Sequence, residues 1–408
     1  MFQTALPFFA LPATLAAAAA SVGFAPRGLA APLTPASTHT DEPGDALQAQ
    51  GFQLGWDHAR HRLTPPVDQL QADNPVRQGW QAGRAALGQR SRPASAAVRQ
   101  WLALRLEAWS AGASFEDVQV TPHFLARIDA VQCPVRRVTL LLASGRDDDS
   151  QVQRLNTEAA YAAGNLAAIS RSAARARGAL RWDELLALAQ QLEGREASAT
   201  LRGLDRDEWL RLAVLASFAT PIAHERAACL PLRVLPPNRV RVINPVQSLQ
   251  LLLTLQFSRD GYARRLLELA ALMPGDEARQ AFQIFMHTLL ARRLAVGVDA
   301  GPADVRRALE DAWADPLVNR RWQRLALRLS AADCERVVQH AAQRGLVVGG
   351  GRWMGREAAL DGWELPTAQS GAQSGTQSGS LKAGAAGWVG SGTRPGSARK
   401  RGSQKLAS

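Results

Sequence analysis

The stretch Ser150–Gly178, SQVQRLNTEAAYAAGNLAAISRSAARARG, decides how the rest of the chain is read. Arg154, Asn156, Tyr161, Gly164 and Asn165 fall in the ordered spacing R-x-N-x4-Y-x2-G-N. Behind them Leu166–Arg177 runs from apolar to basic and reads as a helix. Upstream, residues 115–142 alternate in a way that predicts short strands: Val118, Val120, Phe124 and Ile128, then Val138, Leu140 and Leu142 beyond a turn at Cys133-Pro134-Val135. Gly145–Ser150 is polar and acidic, a predicted loop. The expected order over residues 115–180 is therefore strand, turn, strand, loop, helix.

This ordered set resembles the core of the HNH endonucleases, the ββα-metal nucleases. The likeness covers about residues 125–178 and includes Cys133-Pro134-Val135, where one subgroup carries a Cys-Pro turn closed by Thr-Gly. It implies a ββα fold, a DNA or RNA partner, and phosphodiester hydrolysis with one divalent metal such as Mg²⁺. The departures lie at the chemical positions. The acidic metal position of the family falls on Gln153, and an amide is a poor ligand for a hard cation. The base position falls on Arg154, which stays protonated. The helix ligand position falls on Ala174, which has no donor atom; the Thr-Gly pair is Arg136-Arg137.

Of the polar positions only Asn165 survives. The resemblance thus implies a degenerate, inactive metal site with no catalytic residue and no metal or other cofactor. Arg154, Arg171, Arg175 and Arg177 would line the former phosphate groove. Two other readings stay open. One is a helical scaffold or protein-interaction protein in which the ββα unit is only structural. The other is an active nuclease that recruits Asp147, Asp148 or Asp149 as replacement ligands.

Composition limits the choice further. The net charge is +12, but six basic residues and no acidic ones follow Leu365, so the part before it carries only about +6. The bases are nearly all Arg, the Ala- and Arg-rich, Lys-poor pattern of a GC-rich bacterial-type genome. Three separated cysteines, Cys133, Cys229 and Cys334, support neither a zinc ribbon nor a disulfide framework; each reads as a small buried side chain in a reducing, cytoplasmic setting. Ala5–Ala25 is apolar, yet no Lys or Arg precedes it and Pro7 and Pro12 interrupt it, which argues against a signal peptide. Gln247–Phe257 is apolar but too short to span a bilayer, so no membrane span is expected. P-loop, Rossmann and metalloprotease motifs are missing.

The expected fold is mostly α with a small embedded ββα, HNH-like unit between disordered N- and C-terminal extensions. In order these are a disordered or apolar extension over 1–50, a helical segment over 51–114 and the ββα unit over 115–180. A helical domain over 181–365 and a basic Gly/Ser/Gln-rich tail over 366–408 follow. Helices are predicted over 75–88, 94–112, 182–192, 207–219, 247–257, 262–273, 276–296 and 330–343. The start signals include Asp205 with Glu208, Ser330 with Asp333, and Asn244 before Pro245. His58 and His61, three apart but without a third ligand, read as ordinary core or surface histidines.

Overall fold

The computed structural model describes residues 43–365, apart from 129, 143, 298, 349–353 and 355. The expected tail and most of the N-terminal extension lie outside the described residues, as does the Gly349–Gly351 turn. Among the described residues the chain is mostly helical, with one two-stranded sheet.

Helix α1 (Pro43–Arg60) begins well before Gly51, so the predicted extension is shorter than expected. It crosses α2 (Pro75–Leu87), which Asn74 caps through its side chain and Pro75 opens. Glycines set this crossing. A Cβ at Gly55 would stand 1.9 Å from the Val76 carbonyl oxygen, and one at Gly79 would stand 1.8 Å from that of Phe52. The two backbones touch, and any side chain at either position would force them apart. Helix α3 (Ala96–Ser110) packs on α1; Leu54, Val76 and Leu106 form a small cluster there, apart from the main core. His58 is buried, and its Nδ1 lies 2.8 Å from the Leu54 carbonyl oxygen, so this nitrogen carries the hydrogen. It is a core histidine.

Between residues 115 and 142 the predicted strands do not form. The Thr121 hydroxyl accepts from the Phe124 amide and Pro122 follows as the first helical residue, giving α4 (Pro122–Ile128). Capping chemistry overrides the alternation here, since Leu125 and Ile128 bury on one helical face. The Cys133 turn does form: the Cys133 amide donates to the Val138 carbonyl and the Leu140 amide to Val131, with one bridge between Gln132 and Thr139.

The sheet lies later, inside the key stretch. Strand β1 (Ser150–Arg154) pairs antiparallel with β2 (Leu166–Ser170), Ser150 opposite Ser170 and Arg154 opposite Leu166. The expected helix over 166–177 is therefore split. Its first five residues are a strand buried on both faces, where a short apolar run has no period to tell strand from helix. The Ser170 hydroxyl then caps α5 (Arg171–Arg177), accepting from the Ala173 amide. The local order is hairpin, then helix.

The remainder matches the helical expectation closely. Helices α6 (Trp182–Gln191) and α7 (Arg206–Phe218) pack together, and α7 opens on the Asp205–Glu208 capping box. A short α8 (His224–Cys229) precedes an extended connection and α9 (Pro245–Leu255), an apolar core helix. Then come α10 (Tyr262–Ala270), α11 (Gly275–Leu294), α12 (Pro302–Asp311), α13 (Pro316–Ala326), α14 (Ala331–Gln343) and α15 (Arg356–Leu360). The Ser330–Asp333 box caps α14 as predicted. Helices α8, α12, α13 and α15 lie outside the predicted helical spans. Among the described residues, no helix is long and apolar enough to cross a membrane. The main core is continuous from Leu104 to Trp363, so the hairpin shares it with the C-terminal helices.

Candidate functional site

Every residue of the R-x-N-x4-Y-x2-G-N set holds the loop that joins β1 to β2. Asn165 is fully buried: its Oδ1 accepts from the Asn156 amide, and its Nδ2 donates to the carbonyls of Asn156 and Ala160. Asn156 extends the network, donating through Nδ2 to the Ala219 carbonyl at the end of α7 and accepting from the Glu158 amide. Tyr161 bridges to Phe115 and stacks on it at 6.2 Å between ring centres. Arg154 lies over the Tyr161 ring at 4.1 Å and donates to the Ala159 carbonyl. Burial pushes the Tyr161 phenol up to about 12.

Gly164 has φ of 92°, and a Cβ there would meet the Arg241 side chain at 2.3 Å; only glycine fits. At the far end of the chain, Trp363 donates from its indole to the Ala163 carbonyl and accepts from the Ala160 amide. The loop is thus tied to four distant parts of the molecule. This is a structural task that fully occupies the one polar residue, Asn165, which the resemblance carries over into a site.

The predicted groove arginines divide into three situations. Arg177 does not line a groove. It is 1% exposed, and its guanidinium reaches from α5 to the carbonyls of Arg154 and Leu155 at the end of β1. Burial, with the Arg154 charge adding to it, lowers its pKa to about 10, so it remains a cation at neutral pH. Arg171 and Arg175 stand on the helix rim but carry partners: Asp149 at 2.9 Å and Asp147 at 2.5 Å. Arg154 is half-buried against Tyr161.

The aspartates considered as replacement ligands take part in the same contacts. Asp149, 2% exposed, accepts from the Ser144 hydroxyl at 2.5 Å, from the Ser144 and Gly145 amides, and from Arg171. The Ser144 hydroxyl foremost holds its carboxyl below the usual range, with those amides and Arg171 contributing. Asp148 approaches Arg136 at 3.8 Å. The loop's carbonyls cap α5 as well, Asp149 accepting from the Arg171 amide and Asp147 from Ser172. Asp147 and Asp149 anchor the helix start, and all three aspartates approach guanidiniums.

At the positions that the resemblance assigns to metal ligands, the residues do not fit a metal. Gln153 is a neutral amide, half-buried on the face of β1 opposite Val152, and Ala174 is a buried methyl. One helical turn beyond Ala174 stands the buried Arg177 cation, which would repel a divalent ion. Among the described residues no cluster of three His, Cys, Asp or Glu is assembled for a metal. Cys133 and Cys334 are buried as expected, whereas Cys229 is exposed at the end of α8.

A cleft of about 1010 Å³ opens beside the hairpin loop, lined by Gly164, Ile222, Arg241, Asn244, Leu252 and others. Its walls come from segments far apart in the chain, so no local pattern announces it. Arg241 is committed within it, to the Ala359 carbonyl and the Gln119 side chain.

Compared with protein families, curated proteins and solved structures, the chain matches none.

Proposed function

We propose that the protein is a nucleic-acid-associated protein built on an HNH-like core that has lost its metal site and its nuclease activity. The observation that carries the reading is the sequence of turn, hairpin and helix around the motif. At Arg137, where the resembled subgroup has glycine, φ is 59°, in the left-handed region that favours glycine. A non-glycine residue there costs about 1–2 kcal/mol. Ion pairs from Arg137 to Glu310 at 3.2 Å and Asp311 at 2.7 Å offset that cost. The left-handed backbone at this turn position agrees with the glycine of the resembled subgroup, although Arg62, Arg202, Arg239 and Glu364 adopt it elsewhere. The Arg177 cation beside the former ligand positions supports the loss of the metal.

The second reading is a helical scaffold in which the unit is structural. It is favoured by the complete engagement of Arg154, Asn156, Tyr161, Gly164 and Asn165 in holding the loop. Duplex DNA binding separates the two. The nucleic-acid reading expects the chain ending at Leu365 to bind a short duplex at low salt, with affinity falling steeply as salt rises. It also expects no nicking of plasmid with Mg²⁺ or Mn²⁺. Binding that disappears with the tail would leave the scaffold reading; metal-dependent nicking would overturn the loss of the site.

A further inference from the structure

We propose that the nucleic-acid contact lies on the outer face of α13, at Arg320 and Arg324, and not on the hairpin-helix unit; this rests on the nucleic-acid reading above. Helices α11 and α13 run antiparallel. Arg292 near the end of α11 pairs with Asp315 at the start of α13, and Arg328 beyond α13 approaches Glu277 at 3.6 Å at the start of α11. Residues 278–294 and 316–328 contain no Asp or Glu and seven arginines, of which Arg279, Arg292 and Arg328 pair with carboxylates just outside these spans.

The core sets which way α13 faces. Trp322 is 1% exposed, lies 5.5 Å from Phe285 and 5.9 Å from Trp313 between ring centres, and donates its indole hydrogen to the Ala228 carbonyl. Arg320 and Arg324 each stand two residues from Trp322, about 200° around the helix, so burial of the indole turns both outward. Both are exposed. They are four residues apart, about 6 Å along the axis. Among the described residues neither has a carboxylate within 4 Å, and the same holds for Arg321 beside them.

On α11, Gln280, Gln283 and His287 are exposed, and none of them is a carboxylate. In the hairpin-helix unit, by contrast, Arg171 and Arg175 are neutralised and Arg177 is buried. Guanidinium forks match phosphate oxygens in pairs, and two exposed guanidiniums one turn apart on a helix, without carboxylate partners among the described residues, suit a phosphodiester backbone.

The test is fluorescence anisotropy of the full chain with a labelled 20-base-pair DNA duplex across a salt series. The wild type is compared with Arg320→Ala/Arg324→Ala and with Arg264→Ala, a control on α10 that is 89% exposed and paired with Glu268. The double variant is expected to keep its melting temperature, to bind roughly tenfold more weakly at low salt, and to lose about 2 from the log–log salt slope. The control should change neither. If the wild type binds and the double variant binds equally with an unchanged slope, this surface is not the contact and the inference falls, while the nucleic-acid reading stands. If the wild type does not bind at low salt, both fall. If the double variant loses adsorption to phosphatidylserine vesicles but keeps DNA binding, the strip serves a membrane surface and the inference is wrong.

Discussion

Asn165 shows how a residue can keep its place in a motif while its work changes. A buried amide with one acceptor and two donors is satisfied completely by Asn156 and Ala160, and no lone pair is turned to solvent. Replacing it by Ala would leave the buried Asn156 carbonyl and the Asn156 amide hydrogen without partners, while the Ala160 carbonyl keeps the Ala162 amide. The expected cost is about 3 kcal/mol, read as a shift of the urea midpoint with an unchanged slope. A variant as stable as the wild type would mean that the loop does not depend on this network. Arg177 belongs to the same class. Its two carbonyl partners tie α5 to the end of β1, and its Nε is buried without a hydrogen-bond partner, a cost that the other bonds must outweigh.

At the scale of elements, α5 is only seven residues long and depends on its neighbours for its start. The acidic loop before β1 supplies carbonyl acceptors for its first amides and carboxylates for its arginines. Asp149 is the centre of that loop, and its folded pKa lies below the value of 3.8 for a free carboxyl. A depressed folded value means that the ionised carboxylate stabilises the fold at all pH above the unfolded value. That contribution is lost as pH falls through the folded value. Ser144→Ala removes the foremost cause. The carboxyl should then titrate at higher pH, and the Arg171 and Ser172 amides should exchange with solvent faster in mild acid than in the wild type. Amide exchange followed by NMR between pH 3 and 6 checks this; identical protection in the two proteins would show that Ser144 does not hold the loop.

For the whole molecule, the continuous core matters more than the boundaries between segments. The predicted unit over 115–180 and the helical domain over 181–365 share buried contacts. Leu140, Val152 and Ile169 belong to one cluster with Leu212, Leu253 and Trp363. Two buried or half-buried arginines of the Cys133 turn cross the same boundary, Arg136 to Glu208 at 3.2 Å and Arg137 to Glu310. A fragment of residues 115–180 would expose its apolar β2 strand and lose the Trp363 clamp. It is expected to remain unfolded by circular dichroism, while the intact chain melts these regions in one transition. An independently folded fragment would restore the hairpin-helix unit as a separate domain.

The sequence by itself determined the helical character and the limits of about half of the described helices. Caps and breakers act within four residues, as at Asp205–Glu208 and Ser330–Asp333. It also marked Ser150–Gly178 as special, because the motif residues interact at fixed short spacing within one loop. Tertiary structure alone decided the rest. Leu166–Ser170 became a strand because it found β1 as a partner, and a short apolar run carries no period of its own. The α1–α2 crossing rests on Gly55 and Gly79, whose meaning appears only when the opposing backbone is in place. The fate of each arginine was equally non-local. Nothing in Arg171, Arg175, Arg177, Arg320 or Arg324 distinguishes them along the chain; only the position of a carboxylate, a carbonyl or a buried tryptophan in space separates a neutralised or buried guanidinium from an open one.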